Sequence, residues 1–187
     1  MRKNLLYLSI PLLLLTLFLP SRCVVDDDMS KSIQPKDLIW TWNKPPESGD
    51  VALLHNPLDP EEVILRRLIA TEGQTVRYDR NGTVYIDNQS IRQRDMGNEE
   101  PHRIIEENLW RGENKIQWRI LRLLKPIQLH FDPVTVPTDH IYVLCDRRDE
   151  CVDSRLWGAI HKRHIVSFVK VRFGASDPWR SWLDFYP

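Results

Sequence analysis

The sequence lacks several features on which common function classes depend. Its 26 Lys and Arg residues are balanced by 26 Asp and Glu residues, which leaves no net charge to hold a nucleic-acid backbone. No G-x-G-x-x-G or Walker loop is present to bind a phosphate group. We therefore predict no nucleic-acid partner and no cofactor.

Metal ligands are also scarce. The three cysteines form no C-x-x-C pair, and no histidine pair lies near them in the sequence. His161 and His164 are three positions apart, but no third ligand stands beside them, so packed or solvent-exposed histidines are the simpler interpretation. The sequence predicts no metal site.

The chain contains only seven glycines, but thirteen prolines and seven tryptophans, and 42% of its residues are apolar. This composition favours a β-rich body with many loops over a helix bundle. A length of 187 residues suits one ordinary domain and is too short for two full cores. We expect one mostly β domain with enough apolar surface to fold.

A long apolar run follows the N-terminus. Arg2 and Lys3 precede it, and positive charge on such a short leader favours a cytoplasmic N-terminus with the rest of the chain exported. A helix over residues 5–20 would be roughly 24 Å long, short for a bilayer core of about 30 Å, whereas a helix continued to Val25 would reach roughly 31 Å. Three alternatives remain open: a membrane anchor over residues 1–25, a cleaved signal peptide, or a lipoprotein acylated at Cys23.

Export changes the chemistry expected of the other two cysteines. Cys145 and Cys151 are six positions apart and flank a polar turn. In an oxidising compartment they can close a small disulfide loop that stabilises the fold by about 2 kcal/mol. Two unpaired thiols are the alternative.

The clearest local structure is a β-hairpin. Residues 75–78 and 83–87 are rich in β-branched and aromatic residues and flank Asn81-Gly82, a pair that accepts the positive φ of a tight turn. Residues 140–144 form the best single-strand pattern. By contrast, residues 89–107 are polar and low in β-branched residues, so we expect a less regular extension over residues 90–132.

The pattern D-x-R occurs twice, seven positions apart, within residues 145–158. Bidentate guanidinium–carboxylate pairs between Asp146 and Arg148, and between Asp153 and Arg155, would cross-link one turn and give these four residues a structural role. Composition alone favours a solvated run of charges instead.

The same segment resembles the last signature of the type I signal peptidases, membrane-anchored Ser–Lys proteases, whose pattern is G-D-N-R-D-N-S-x-D-S-R-x-W-G. Four upstream segments are similar to further signatures of that family, in the same order: residues 33–38, 48–51, 65–76 and 133–137. Together with the N-terminal run, the resemblance covers nearly the whole chain. The residues in register with the last signature are Asp146, Arg148, Asp149, Asp153, Ser154, Arg155, Trp157 and Gly158.

The resemblance implies a mostly β fold of coiled antiparallel β-sheets after one N-terminal membrane helix. It also implies a single-pass protein of the cell (inner) membrane, with residues 26–187 as an extracytoplasmic domain. In the family, a serine attacks the scissile carbonyl of an exported precursor, and a buried, neutral lysine is the general base. The substrate lies extended along a strand edge, with small residues in shallow pockets before the cut.

The sequence departs from the family pattern at both reacting positions. Counting back from residues 33–37, the nucleophile position holds Asp28, and the lysine position holds Arg66. Attack by a carboxylate on a peptide would give a mixed anhydride, far above an ester in energy. A guanidinium in a protein does not give up its proton, so it cannot act as a base. We predict that the dyad is lost and that Asp28 and Arg66 form a salt bridge across the former active site.

Two serines near the nucleophile position are fallback nucleophiles. Ser30 and Ser32 lie close to Lys31 and Lys36, but a usable base must be buried and desolvated, which lysines on a polar loop rarely are. Cys151 stands where the family has the serine that steadies the lysine, and it makes a weak case for a thiol nucleophile because no histidine or lysine flanks it.

Three functions follow from these readings. A non-catalytic homologue would bind extended exported or pilus-type peptides, or an active signal peptidase. An active type I signal peptidase would use Ser30 or Ser32. A structural envelope protein would use only its surface.

Overall fold

The computed structural model describes residues 21–24, 27–29, 31–126, 131–174 and 183–185. The predicted apolar segment before residue 21 lies outside this part of the chain, and so does Ser30. Among the described residues, no helix is both long enough and apolar enough to cross a bilayer. Ser21–Cys23, at the end of the predicted 1–25 segment, form a strand, so a continuous helix to Val25 is not formed.

Strands dominate the described residues, which confirms the predicted mostly β fold class. Helical structure in the described ranges is limited to α1 (Ser154–Trp157) and a 3-10 turn (Lys162–His164). In chain order the strands are β1 (Ser21–Cys23), β2 (Leu38–Trp42), β3 (Val51–His55), β4 (Val63–Thr71), β5 (Thr75–Tyr78), β6 (Val84–Ile86), β7 (Gln89–Ser90), β8 (Arg92–Glu99), β9 (His102–Arg111), β10 (Asn114–Leu123), β11 (Val134–Thr135), β12 (His140–Leu144), β13 (Ile160–His161), β14 (Ile165–Phe173) and β15 (Leu183–Phe185).

These strands form three sheets, and their ladders are antiparallel. The largest sheet has the order β1-β2-β14-β3-β4-β12-β13, with β15 beside β14. A second sheet has the order β11-β5-β6-β7, and a third has the order β10-β9-β8. The predicted hairpin is confirmed as β5 and β6, with Gly82 at φ +77° in its turn, and the predicted strand over residues 140–144 is confirmed as β12.

Strand β4 is buried along almost its whole length because its alternate residues face different cores. Leu65 packs into one cluster with Met29, while Ile64 and Leu68 pack into another. Further along, Ile69 joins the cluster under the β5–β6 hairpin. Any polar side chain in the middle of β4 is therefore held inside the protein.

The prediction of a less regular extension over residues 90–132 is wrong for residues 92–123. These residues form β8, β9 and β10, paired in register over almost their whole length. On β10, Ile116, Trp118 and Ile120 are buried and alternate with exposed polar residues. An antiparallel sheet can leave one face in water, and this three-stranded sheet does so with charged side chains. Its polarity therefore reflects an exposed sheet face rather than a loop.

Candidate functional site

Asp28 and Arg66 meet where the resemblance places the reacting residues. Arg66 lies in the middle of β4 and is 4% exposed, and Asp28 directly precedes the fully buried Met29. The Nη2 atom of Arg66 lies 2.8 Å from Oδ2 of Asp28, whose side chain is 26% exposed. The predicted salt bridge is therefore formed in the structure, with its cation buried and its carboxylate near the surface.

The remaining donors of Arg66 are also engaged. Its Nε and Nη2 donate to the carbonyl of Val152 at 3.1 and 3.0 Å, and its Nη1 donates to the carbonyl of Leu65 at 2.6 Å. The guanidinium carbon lies 5.8 Å from the centre of the Trp157 ring. A guanidinium has no lone pair with which to accept a proton from a nucleophile.

Ser32, one fallback nucleophile, is held in a buried ionic cluster. Its hydroxyl donates to the carboxylate of Asp146 and accepts a 2.8 Å hydrogen bond from Nη2 of Arg67. Of the lysines that the sequence placed beside it, Lys31 forms an ion pair with Glu99 and Lys36 is exposed. Neither lysine is buried, as a lysine that acts as a general base must be. Ser30 lies outside the described residues.

Arg67 is the centre of that cluster. Its Nε and Nη2 bind Oδ1 and Oδ2 of Asp146 at 2.8 and 2.7 Å, its Nη1 donates to the carbonyl of Gly49 at 2.9 Å, and its guanidinium lies 4.9 Å from the Trp118 ring. Arg67 and Asp146 are 2% and 0% exposed. Because side chains alternate along a strand, Arg66 and Arg67 serve opposite faces of β4.

The predicted pairing of the two D-x-R motifs is correct for one motif and wrong for the other. Asp153 and Arg155 form a bidentate pair at 2.8 and 2.7 Å. Asp146 pairs with Arg67 instead of Arg148, whose Nη2 binds Oε2 of Glu107 at 2.5 Å. Glu107 is fully buried on β9 and needs a cation there. Because the polarity of residues 89–107 predicts a loop, the sequence gives no sign that Glu107 is a partner of Arg148.

Cys145 and Cys151 are joined as a disulfide, with their Cα atoms 6.6 Å apart. Of the two alternatives left open by the sequence, the structure has the bonded pair. The bonded sulfurs lie near Asp153, but a disulfide does not offer thiolate ligands to a metal. The residue after Cys151 supplies the carbonyl that Arg66 binds, so the loop helps to fix the Asp28–Arg66 pair.

Replacing both cysteines by alanine is expected to lower the free energy of unfolding by about 2 kcal/mol, because the loop of six residues no longer restricts the unfolded chain. Urea denaturation of the protein in detergent measures the loss. A reductant should reproduce it in the wild-type protein and leave the Cys145→Ala, Cys151→Ala variant unchanged. Three titratable thiols in unreduced, denatured protein would contradict the disulfide.

The described residues form antiparallel sheets, and Asp28 and Arg66, at the positions where the resemblance expects the family's serine and lysine, form an ion pair. The model of the family described as signal peptidase, peptidase S26, matches residues 2–174. The chain belongs to this signal peptidase family.

Individual signal peptidases are also similar in sequence to this chain. The chain is 26% identical over 142 residues to a probable signal peptidase I-1 of Synechocystis, covering 72% of this chain and 58% of that protein. It is 27% identical over 155 residues to signal peptidase I of Pseudomonas aeruginosa, covering 74% of this chain and 51% of that protein. The chain thus spans about half the length of these curated relatives. A solved signal peptidase I from Enterococcus faecalis, 23% identical, superposes with a TM-score of 0.43 over 68% of this chain and 98% of that chain.

Proposed function

We propose that this chain is a non-hydrolysing member of the signal peptidase family. In this proposal its N-terminal segment anchors it in the cell membrane, and its extracytoplasmic β domain binds extended exported polypeptides without cutting them. The observation that carries the proposal is the 2.8 Å contact between Asp28 and Arg66. At the two positions of the resemblance it puts a carboxylate, whose attack on a peptide would give a high-energy mixed anhydride, and a guanidinium, which cannot accept a proton.

Strand β4 offers an edge on which an extended peptide can pair. Residues 63–67 of β4 pair with β3 on one side, whereas β12 covers the other side only from Arg67 onward. In the described ranges, no strand pairs with Val63–Leu65 on that second side. An extended peptide can add to such an edge through main-chain hydrogen bonds, with its alternate side chains in pockets.

The side chains beside this edge suit a peptide of small apolar residues. Val63 is 38% exposed and Val152 is 42% exposed. The carbonyl of Val152 accepts from the guanidinium of Arg66, which places Val152 beside that side chain. A peptide laid along Val63–Leu65 would cover both valines and end against the Asp28–Arg66 pair. That pair stands where the family would cut, so the peptide would be held and released whole.

Changing Val63 to aspartate is expected to weaken peptide binding about tenfold or more, because it places a charge where apolar contact would form. A fluorescent peptide with an Ala-x-Ala end, titrated onto the full chain in detergent, measures the affinity by anisotropy. Phe173 is 45% exposed on β14, and Phe173→Asp is the matched control that should bind normally.

Two results would contradict the proposed binding. One is the absence of saturable binding up to about 1 mM peptide, which would favour a structural envelope protein. The other is an equal loss of affinity in Val63→Asp and Phe173→Asp, since this would show that any added charge weakens the interaction.

A further inference from the structure

A cavity away from the Asp28–Arg66 pair is lined by an unusual number of arginines. It lies between the turn of the β5–β6 hairpin, the end of β10 and the turn that follows β12, and its volume is about 360 Å³. Small-molecule sites commonly enclose about 300–1,000 Å³. Its lining includes five arginines and two aspartates: Arg80, Arg103, Arg122, Arg148, Arg155, Asp79 and Asp149.

Both aspartates of the lining accept hydrogen bonds from nearby groups. Asp79 accepts hydrogen bonds from the backbone N–H groups of Asn81 and Thr83 at 2.9 and 2.8 Å. Asp149 accepts from Nε of Arg122 at 2.9 Å and from the backbone N–H of Leu123 at 2.8 Å. Asp149 is thus paired with a cation, whereas both hydrogen bonds to Asp79 reach its Oδ1.

Three of the arginines are anchored by carboxylates outside the lining. Glu107 binds Arg148, Asp153 binds Arg155, and Asp95 lies 3.4 Å from Arg103. Each anchor neutralises charge but uses only part of a guanidinium, which carries five N–H donors. The cavity therefore has N–H donors that are not used by the described residues, although carboxylates balance the formal charge of these arginines.

Two of the arginines, Arg148 and Arg80, have N–H donors that are not used within the described ranges. Arg148 is 3% exposed, and its buried Nε has no hydrogen-bond partner among the described residues. A buried donor of this kind is costly unless a ligand or water satisfies it. The exposed Arg80, at the rim, forms no ion pair within the described part of the chain.

Aromatic rings complete the cavity. Tyr78 and Phe131 have ring centres 5.4 Å apart, and the guanidinium of Arg155 lies 5.9 Å from the Phe131 ring. Burial holds the pKa of Tyr78 well above its usual value of 10, so its hydroxyl stays uncharged. An adjoining space of about 120 Å³ shares Phe131 and is also lined by Leu123 and Leu156. A ligand here would meet donors on one side and apolar surface on the other.

We propose that this cavity binds a compact organic phosphate through Arg80, Arg122 and Arg148. Guanidiniums from three different segments surround the space, and a tetrahedral phosphate accepts hydrogen bonds from several directions, whereas a planar carboxylate accepts mainly in one plane. The organic part would lie against Tyr78 and Phe131. The phosphoryl group can come from a soluble ester or from a lipid headgroup, and these two sources share the same chemistry at the site.

The test is a calorimetric titration of the full chain in an uncharged detergent. The probes are inorganic phosphate, glycerol 3-phosphate, and the short-chain forms of phosphatidylglycerol and phosphatidylcholine. We expect saturable binding that Arg122→Gln weakens at least tenfold. Arg163→Gln, which removes an equal charge from the exposed 3-10 turn, should change affinity less than about twofold.

A second variant keeps every charge but moves the Arg122 guanidinium, and it also strains the hairpin turn because Gly82 has a φ of +77°. A Cβ atom at Gly82 would lie 2.4 Å from Nη1 and 2.8 Å from Nη2 of Arg122, so Gly82→Ala must displace that guanidinium. We expect it to weaken phosphate binding while the far-UV circular dichroism of the protein stays unchanged. Normal binding by a folded Gly82→Ala variant would overturn the assignment of Arg122.

The probes separate the sources of the phosphate. Binding of glycerol 3-phosphate supports a soluble ester, and binding of phosphatidylglycerol alone supports a lipid headgroup. No saturable binding of any probe up to about 10 mM overturns the proposal. An equal loss of binding in Arg163→Gln and Arg122→Gln overturns it as well, because that result would show general charge attraction.

Discussion

The purified full chain is expected to leave a signal-peptide-bearing precursor uncleaved under conditions in which an active signal peptidase I completes the reaction. In the proposed function Asp28 and Arg66, whose charged groups lie 2.8 Å apart, stand at the reacting positions, where a carboxylate and a guanidinium cannot replace a serine and a neutral lysine. In another serine hydrolase, loss of the catalytic group costs about a millionfold in turnover. Gel analysis of a radiolabelled precursor over many hours measures the residual rate.

Substitutions separate this explanation from a shifted dyad. Ser30→Ala and Ser32→Ala should leave the precursor as intact as the wild-type protein does. Cleavage by the wild-type chain that either substitution abolishes would contradict the proposal and establish an active enzyme.

The complementary experiment introduces the serine and the lysine of the family pattern at positions 28 and 66. Asp28→Ser alone should remain inactive, because Arg66 still cannot accept a proton. The Asp28→Ser, Arg66→Lys variant is the one expected to gain cleavage, since burial lowers the pKa of a lysine and favours its neutral form.

Breaking the Arg67–Asp146 pair is expected to produce the largest loss of stability. Arg67→Met leaves Asp146 buried with no cation, and removing one partner of a buried pair costs about 3–5 kcal/mol. Both side chains are almost fully buried, at 2% and 0% exposure. Urea denaturation followed by tryptophan fluorescence measures the free energy of unfolding.

The double variant tests whether the cost arises from an unpaired charge. Arg67→Met with Asp146→Leu should be destabilised by less than the sum of the two single variants, because no buried charge is left alone. As a control, Arg94→Met removes the exposed cation of a pair with Glu106, 3.8 Å apart, and should cost no more than about 1 kcal/mol. Additive losses at Arg67 and Asp146 would contradict the coupled pair.

Local patterns were sufficient to predict part of the fold. The Asn81-Gly82 turn marked the β5–β6 hairpin, because its backbone requirement is met by few residue pairs. The polarity of residues 89–107 predicts a loop, whereas most of them lie in β8 and β9. A strand on a sheet with one wet face needs few apolar residues, and the alternation on β10 was the better indicator.

Contacts in the site could be predicted only for residues that are close in the sequence or that the family resemblance points to. Asp153 and Arg155 are two positions apart and form the expected pair. Arg67 and Asp146 are 79 positions apart, so spacing along the chain gives no sign of their contact. That pairing depends on β4 lying beside β12, which is a tertiary fact.

The Asp28–Arg66 contact also restricts how this molecule can change over generations. A lone exchange of Asp28 for serine deprives a deeply enclosed guanidinium of its counter-ion, and a lone exchange of Arg66 for lysine gives up donors that now satisfy the carbonyls of Leu65 and Val152. Each first step towards a working protease is therefore penalised before the second can confer any benefit. Once formed, the pair is therefore expected to be retained, because a single substitution of either residue carries a cost.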